Sequence, residues 1–341
     1  MTSRDLVIRT LNHEPVARVP RDLWALPGVQ SARADELAEI ELRYPKDIVQ
    51  PDFKYPPGKR SKGKPCRVGH YTDAWGCTFH VAENGLTGEV KEPPLTTEAK
   101  MAEYQPPFEL LQGVNLARAN RSCEETSRFV LAWTETRPFE RLQFLRGTEA
   151  TFVDLISGDK AARSLLAMLH DFFCQEMQMW ADSDVDGVEF MDDWGSQDAL
   201  LIAPEMWREI FKPLYRDYCE ILHAKDKFAF FHSDGEISDI FGDLIDAGVD
   251  AVNSQLFAMD IERLARQFRG HVTFWGEIDR QRVLPFGTIE ESREAVNRVR
   301  RALDYGVGGL IAQCEWGLDV PIRKIAAIFD QWQQPLPMHA V

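Results

Sequence analysis

From Arg18 onward the chain repeats one pattern, a short apolar run that stops in polar residues, then a longer amphipathic stretch. The plainest case is FAFFHSDG at 228–235, where an apolar run leads straight into a histidine, a serine, an aspartate and a glycine. That is how a buried parallel strand reads where its C-terminal end opens into a loop. Residues 129–134, 187–194, 251–255, 272–279 and 309–316 read the same way, and 18–24 and 47–53 complete the set, with Pro20 making the first less regular. Helical patterns fill the intervals at 161–180, 204–224, 238–247, 261–268 and 289–305.

Eight such strand and helix units predict an α/β fold, a (β/α)8 TIM barrel forming a single domain over 1–341. There is no linker that divides the chain, and no glycine-rich GxGxxG turn of a dinucleotide-binding open sheet. Two additions decorate the barrel. Thr2-Ser3-Arg4-Asp5 ahead of Leu6, Val7, Ile8 and Leu11 predicts a capped N-terminal helix, expected as a lid on the outside of the core. Residues 71–94 alternate around Asn84-Gly85, which predicts a β-hairpin within an insertion over about 54–100. That insertion opens on a Pro/Gly/Lys-rich loop at 54–64, read as a solvated loop.

Composition narrows the function classes. A net charge of -15 and a pI near 5.1 disfavour nucleic acid and anionic membranes as partners, because both are bound through basic patches. No apolar run reaches the roughly 18 residues that span a bilayer, and the N-terminus lacks a signal-peptide core, so a cytoplasmic protein is expected. Six cysteines without a CxxC pair argue for free thiols rather than a disulfide framework.

Closing the strands into a barrel brings their C-terminal ends to one cavity: Asp52, Glu135, Asp192 and Asp193, His232 and Asp234, Gln255, Glu277 and Asp279, and Cys314. His232 and Asp234 lie two residues apart on one strand, so they share a face. Of the neighbours Asp192 and Asp193, Asp193 is expected inward, with Asp192 capping the following segment. An acidic pocket with one histidine and one cysteine needs a proton or a metal ion to neutralise it. Zinc accepts that donor mixture, which predicts a zinc site on His232 and Cys314 completed by Asp234 or Glu277. Trp24, Trp194 and Trp316 stand at or near strand ends, where with Glu135 and Gln255 they are candidates for contacting a substrate.

The blocks DGVEFMDDWGSQ, PEMWREIFKPLYRDY, FFHSDGEISDIFGDLIDAGVDAVNSQ, FWGEIDRQRVLPFGT and GGLIAQCEW resemble the uroporphyrinogen decarboxylase superfamily. LNHEPVARVPRDLW and the DAWGC…GEVKEPPL segment are similar to its members grouped with corrinoid-dependent methyltransferases. The resemblance implies a (β/α)8 barrel. It also implies zinc bound by a His-x-Cys pair and a later Cys, which His232 and Cys314 match while Asp234 replaces the middle cysteine. A carboxylate in place of a thiolate makes the metal a stronger Lewis acid and suits methyl transfer from an ether or amine. The arginine-rich loop of the true decarboxylases is not recognisable here.

The expectation is a zinc-dependent methyltransferase or demethylase moving a methyl group between a small O-, N- or S-methyl compound and a corrinoid protein, with Asp193 or Glu277 as proton donor or ligand. A metal-independent decarboxylase or lyase using Asp52 or Asp193 as the acid is the first alternative, and a ligand-binding barrel without catalysis is the second. A homodimer is common for such barrels.

Overall fold

The structure is a computed structural model and describes residues 1–335. Eight parallel strands form the main sheet: β1 (Arg21–Ala25), β2 (Ile48–Val49), β6 (Phe129–Trp133), β7 (Gly187–Met191), β8 (Phe228–Ser233), β9 (Ala251–Ser254), β10 (Thr273–Trp275) and β11 (Leu310–Trp316). A separate antiparallel sheet holds β3 (Gly69–Thr72), β4 (Thr78–Val81) and β5 (Glu89–Glu92). Each expected strand is present, and the order β1-β11-β10-β9-β8-β7-β6-β2 runs around the barrel with only the β1–β2 seam outside the ladder. There Asp47 closes the gap: its N–H donates to the Arg21 carbonyl at 2.8 Å and its carboxylate accepts from the Arg21 N–H at 2.7 Å. The fold is the (β/α)8 barrel that the strand count predicts.

Alternation along each strand sorts side chains into two cores. Even-numbered residues of β8 point inward, Phe230 below and His232 above, while Phe231 and Ser233 face the surrounding helices. The lower barrel is apolar, filled by Ile48, Phe129, Leu131, Phe230, Ala251, Trp275 and Ile311. Its upper interior is polar, with Asp22, Glu189, His232, Asn253 and Gln313 all buried. Apolar packing fixes the barrel from below and leaves the polar residues at the strand ends for chemistry.

The N-terminal helix Ser3–Leu11 has the expected capping box between Thr2 and Asp5, but it is not an outer lid. Val7 and Leu11 join the inner core, and Thr10 accepts from Gly309 N–H at 2.8 Å where β11 begins. The helix stoppers the floor of the barrel because its apolar face has no other surface to cover. The expected hairpin is also larger, since a third strand pairs ahead of it: Tyr71 and Phe79 stack at 4.8 Å across β3 and β4 and pin the small sheet to the core. Among the described residues no helix is long and apolar enough to cross a membrane.

Candidate active site at the barrel mouth

The C-terminal ends of the strands surround an open cavity of about 700 Å³, lined by Asp193, Asp234, Gln255, Arg280 and Glu315 among others. At its edge three possible ligand atoms, one each from Asp193, His232 and Asp234, lie within 4.8 Å of one another. His232 Nε2 is 3.4 Å from Asp234 Oδ1 and 3.7 Å from Asp193 Oδ1. The shared face of His232 and Asp234 follows from the strand period, and Asp193 joins them from the loop after β7.

Each of the three is held by a further partner. His232 Nδ1 lies 2.6 Å from Asn253 Oδ1, one strand over in direct register. Asp193 Oδ1 accepts from the Asp234 N–H at 2.9 Å. The second oxygen of Asp234 is ion-paired with Arg280, which also meets Glu315 Oε2 at 2.9 Å and Glu277 Oε1 at 3.6 Å. With its amide turned to suit the network, Gln255 accepts from Arg280 Nε at 3.0 Å.

The electrostatics follow from burial and these contacts. Burial, and after it the charge of Asp234, pushes the Asp193 carboxyl above the usual range. Burial alone would lower His232, but Asp234, Asp193 and Asn253 outweigh it, so the imidazole holds a positive charge more readily than usual. Glu277, buried beside Arg280, is pushed well above the ordinary value by burial. Glu189, inward on β7, is raised by burial to about 7. Arg280 is raised because Glu277, Asp234 and Glu315 outweigh the cost of its own burial.

Several expected site residues sit elsewhere. Cys314 is next to Glu315, which faces the cavity, so it falls on the opposite side of β11, fully buried in the shell between strands and helices, with its thiol raised by burial. It cannot join His232. Asp52 lies on an exposed loop, ion-paired with Arg118, because β2 ends at Val49 and the chain turns outward. Glu135 is tied to Arg141 at 3.2 Å and to Trp75 Nε1 at 3.3 Å, under the small sheet. Trp194 is fully buried, stacked on Phe139 at 4.1 Å with its N–H donated to Tyr215. Trp316 is buried and donates to the Val320 carbonyl. Asp279 accepts from the N–H groups of Gln281 and Arg282 and so shapes a turn.

Trp24 does reach the site, its ring 5.1 Å from that of His232. Its neighbour Trp133, 5.5 Å away and 44% exposed, was missed, although its place at the end of β6 was a signal. Arg280, Glu315 and Asn253 were missed too. The pocket was expected to lack a cation, yet Arg280 follows Asp279 directly in the sequence and supplies one.

The Uroporphyrinogen decarboxylase (URO-D) family model matches residues 70–334, and the chain belongs to that family. Among solved structures, a methyltransferase from Methanosarcina mazei superposes with a TM-score of 0.72 at 13% identity, covering 97% of this chain and 98% of that one. A glycosylated endo-β-1,4-xylanase from Gloeophyllum trabeum gives a TM-score of 0.42 at 10% identity, over 71% of this chain and 91% of that one. A 3-keto-D-glucoside 4-epimerase from E. coli gives 0.41 at 10% identity, over 71% and 95%. Comparison with curated proteins gives no match.

Proposed function

We propose that this chain is a methyltransferase or demethylase in which Asp193, His232 and Asp234 hold a zinc ion, and that it moves a methyl group between a small O-, N- or S-methyl compound and a corrinoid on a partner protein. The observation that carries this reading is the cluster of three donor atoms within 4.8 Å at the cavity edge. One imidazole nitrogen and two carboxylate oxygens leave a fourth position open, the usual arrangement of a catalytic zinc site. Oriented ligands are a second mark of such sites, and here all three have an orienting partner. Asp193 thus takes the place that the sequence assigned to Cys314.

Bound there, zinc would act as a Lewis acid on the heteroatom that carries the methyl group. The remaining tasks belong to the chain. Trp24 and Trp133 offer an apolar wall beside His232, suited to the uncharged part of a substrate. Glu277, whose carboxyl burial pushes well above its ordinary value, stands near Asp234 and Arg280 as the candidate proton donor for a departing heteroatom. Carboxylates outnumber cations at the mouth, which favours a neutral or cationic substrate over a polyanion. The partner's corrinoid would have to approach through the open mouth.

Arg280 favours a second reading. It already offsets Asp234 and Glu315, so a metal-independent decarboxylase or lyase, with Asp193 as acid, needs no further ion. Purification without chelators followed by elemental mass spectrometry separates the two. About one zinc per chain in the wild type, lost in His232→Ala and in Asp234→Ala, supports the metal reading. A wild type that is metal-free and takes up no added zinc overturns it and leaves the second.

A further inference from the structure

We infer that Asn253 is the positioning residue of this site, holding His232 in the one tautomer that presents Nε2 to an ion. The inference rests on the metal reading for its consequence, though not for its geometry. Asn253 is fully buried on β9, and the register pairs it directly with His232 on β8. Its side-chain N–H₂ donates to the Trp275 carbonyl on β10, so its Oδ1 must be the atom that faces His232 Nδ1 at 2.6 Å. Turning the amide over would set Oδ1 against the Trp275 carbonyl and N–H₂ against the ring. The orientation is therefore fixed by a partner that has no alternative, since a carbonyl only accepts.

An acceptor at Nδ1 requires a proton on Nδ1. The lone pair of the neutral ring is then on Nε2, directed toward Asp193 and Asp234 at 3.7 and 3.4 Å. Two carboxylates facing a lone pair is a repulsive arrangement, relieved either by a proton on Nε2 or by a metal ion seated between the three groups. The relay runs across three adjacent strands, from the Trp275 carbonyl through Asn253 to His232, so it is built from barrel backbone rather than from a loop. A neutral amide also suits the position. A third carboxylate so close to Asp193 and Asp234 would add to a pocket already rich in negative charge.

The test uses the full chain in three forms: wild type, Asn253→Leu and Asn253→Asp. Leucine keeps the volume and removes the acceptor, whereas aspartate keeps the acceptor. Two readouts are taken, the tautomer of His232 from two-dimensional ¹H–¹⁵N imidazole spectra of the metal-free protein at alkaline pH, and zinc affinity by competition with a chromogenic chelator. The wild type is expected to show the Nδ1–H form. Asn253→Leu is expected to mix tautomers and to bind zinc about 10- to 100-fold more weakly, while Asn253→Asp, which keeps the acceptor but loses the donor to the Trp275 carbonyl, is expected to retain the Nδ1–H form.

An Asn253→Leu protein with the wild-type tautomer and affinity overturns the inference. So does an Nε2–H form in the wild type, a result that needs no variant to fold. If the wild type binds no zinc, the proposed function falls but the tautomer still decides: Nδ1–H in the wild type, lost in Asn253→Leu, upholds the positioning role on its own.

Discussion

Asp192 and Asp193 are neighbours in the chain and face opposite sides of the barrel wall. Asp192 is fully buried among the helices, accepting from Phe139 N–H at 2.9 Å, Glu140 N–H at 2.8 Å and Tyr215 Oη–H at 2.6 Å. It caps the helix Pro138–Arg146, which belongs to the preceding unit, while Asp193 stands in the cavity beside His232. Asp192→Ala should lower stability by about 3 kcal/mol, since three buried donors lose their acceptor. Asp193→Ala should change it by less than about 1 kcal/mol and abolish zinc binding. Urea unfolding with metal analysis checks both, and equal destabilisation by the two would contradict the division of roles.

Cys314 gives a sharper contrast with His232. Its side chain lies outside the barrel wall, packed with Leu23, Ala312 and Trp316. Cys314→Ala should leave bound zinc unchanged and cost about 1 kcal/mol for the small void. His232→Ala should remove the ion. Loss of zinc in the cysteine variant would restore Cys314 as a ligand and undo the ligand set given above.

The eight strands were legible because a buried parallel strand writes itself as an apolar run with a polar end, and the order of such runs is enough to count a barrel. Side-chain direction was legible only where two residues share a strand, as His232 and Asp234 do. Where it had to be compared between strands, as for Cys314, the parity depends on where each strand enters the barrel, and the sequence does not mark that point. Loop residues fared worst. Asp52 and Asp279 differ from Asp193 only in how the chain turns after the strand, and Arg280 reaches the carboxylates by the fold of its loop. Asn253 was hidden for another reason: in a strand its amide looks like an ordinary polar residue until its neighbours in register are known.

Glu176 makes stability depend on pH. It is fully buried on the helix Lys160–Ala181, accepting from Tyr55 Oη–H, Thr136 Oγ1–H and the Glu135 N–H. Burial raises its carboxyl from 4.5 to about 7. The folded state thus binds a proton more tightly than the unfolded one. The group's stabilisation is complete below pH 4.5 and is lost as pH rises toward 7, amounting to about 3 kcal/mol over that window. Glu176→Gln, which keeps an acceptor for Tyr55 and the Glu135 N–H and turns the contact with Thr136 into an amide N–H donating to Oγ1, should reduce this slope, with Glu189, also raised to about 7, carrying a similar share. Unfolding midpoints from pH 4 to 8 measure it, and an unchanged slope would contradict the assignment.

Arg280 is the countercharge for Asp234, Glu277 and Glu315. Arg280→Met should therefore lower the stability of the metal-free protein by about 3 kcal/mol, because carboxylates in a partly enclosed site lose their cation. Added zinc should recover more stability in the variant than in the wild type, since an ion at Asp234 replaces part of the missing charge. Thermal unfolding with and without zinc provides the comparison. A variant as stable as wild type without metal would show that Arg280 is dispensable for charge balance.

The helix Ser3–Leu11 should matter for stability and not for the site. It covers the end of the barrel where the strands begin, with Val7 and Leu11 against Phe129, Phe230 and Ile311. His232 and its neighbours lie at the other end, where the same strands finish. Leu11→Ala should cost about 3 kcal/mol, the usual range for emptying a buried leucine site that collapses only in part. Zinc affinity and the His232 tautomer should stay as in wild type, because the apolar layer of Phe230, Trp275 and Ile311 lies between the helix and the ligands. Denaturant unfolding and chelator competition on the same preparation test the two halves together. A change in zinc affinity without unfolding would mean that the floor of the barrel is coupled to its mouth.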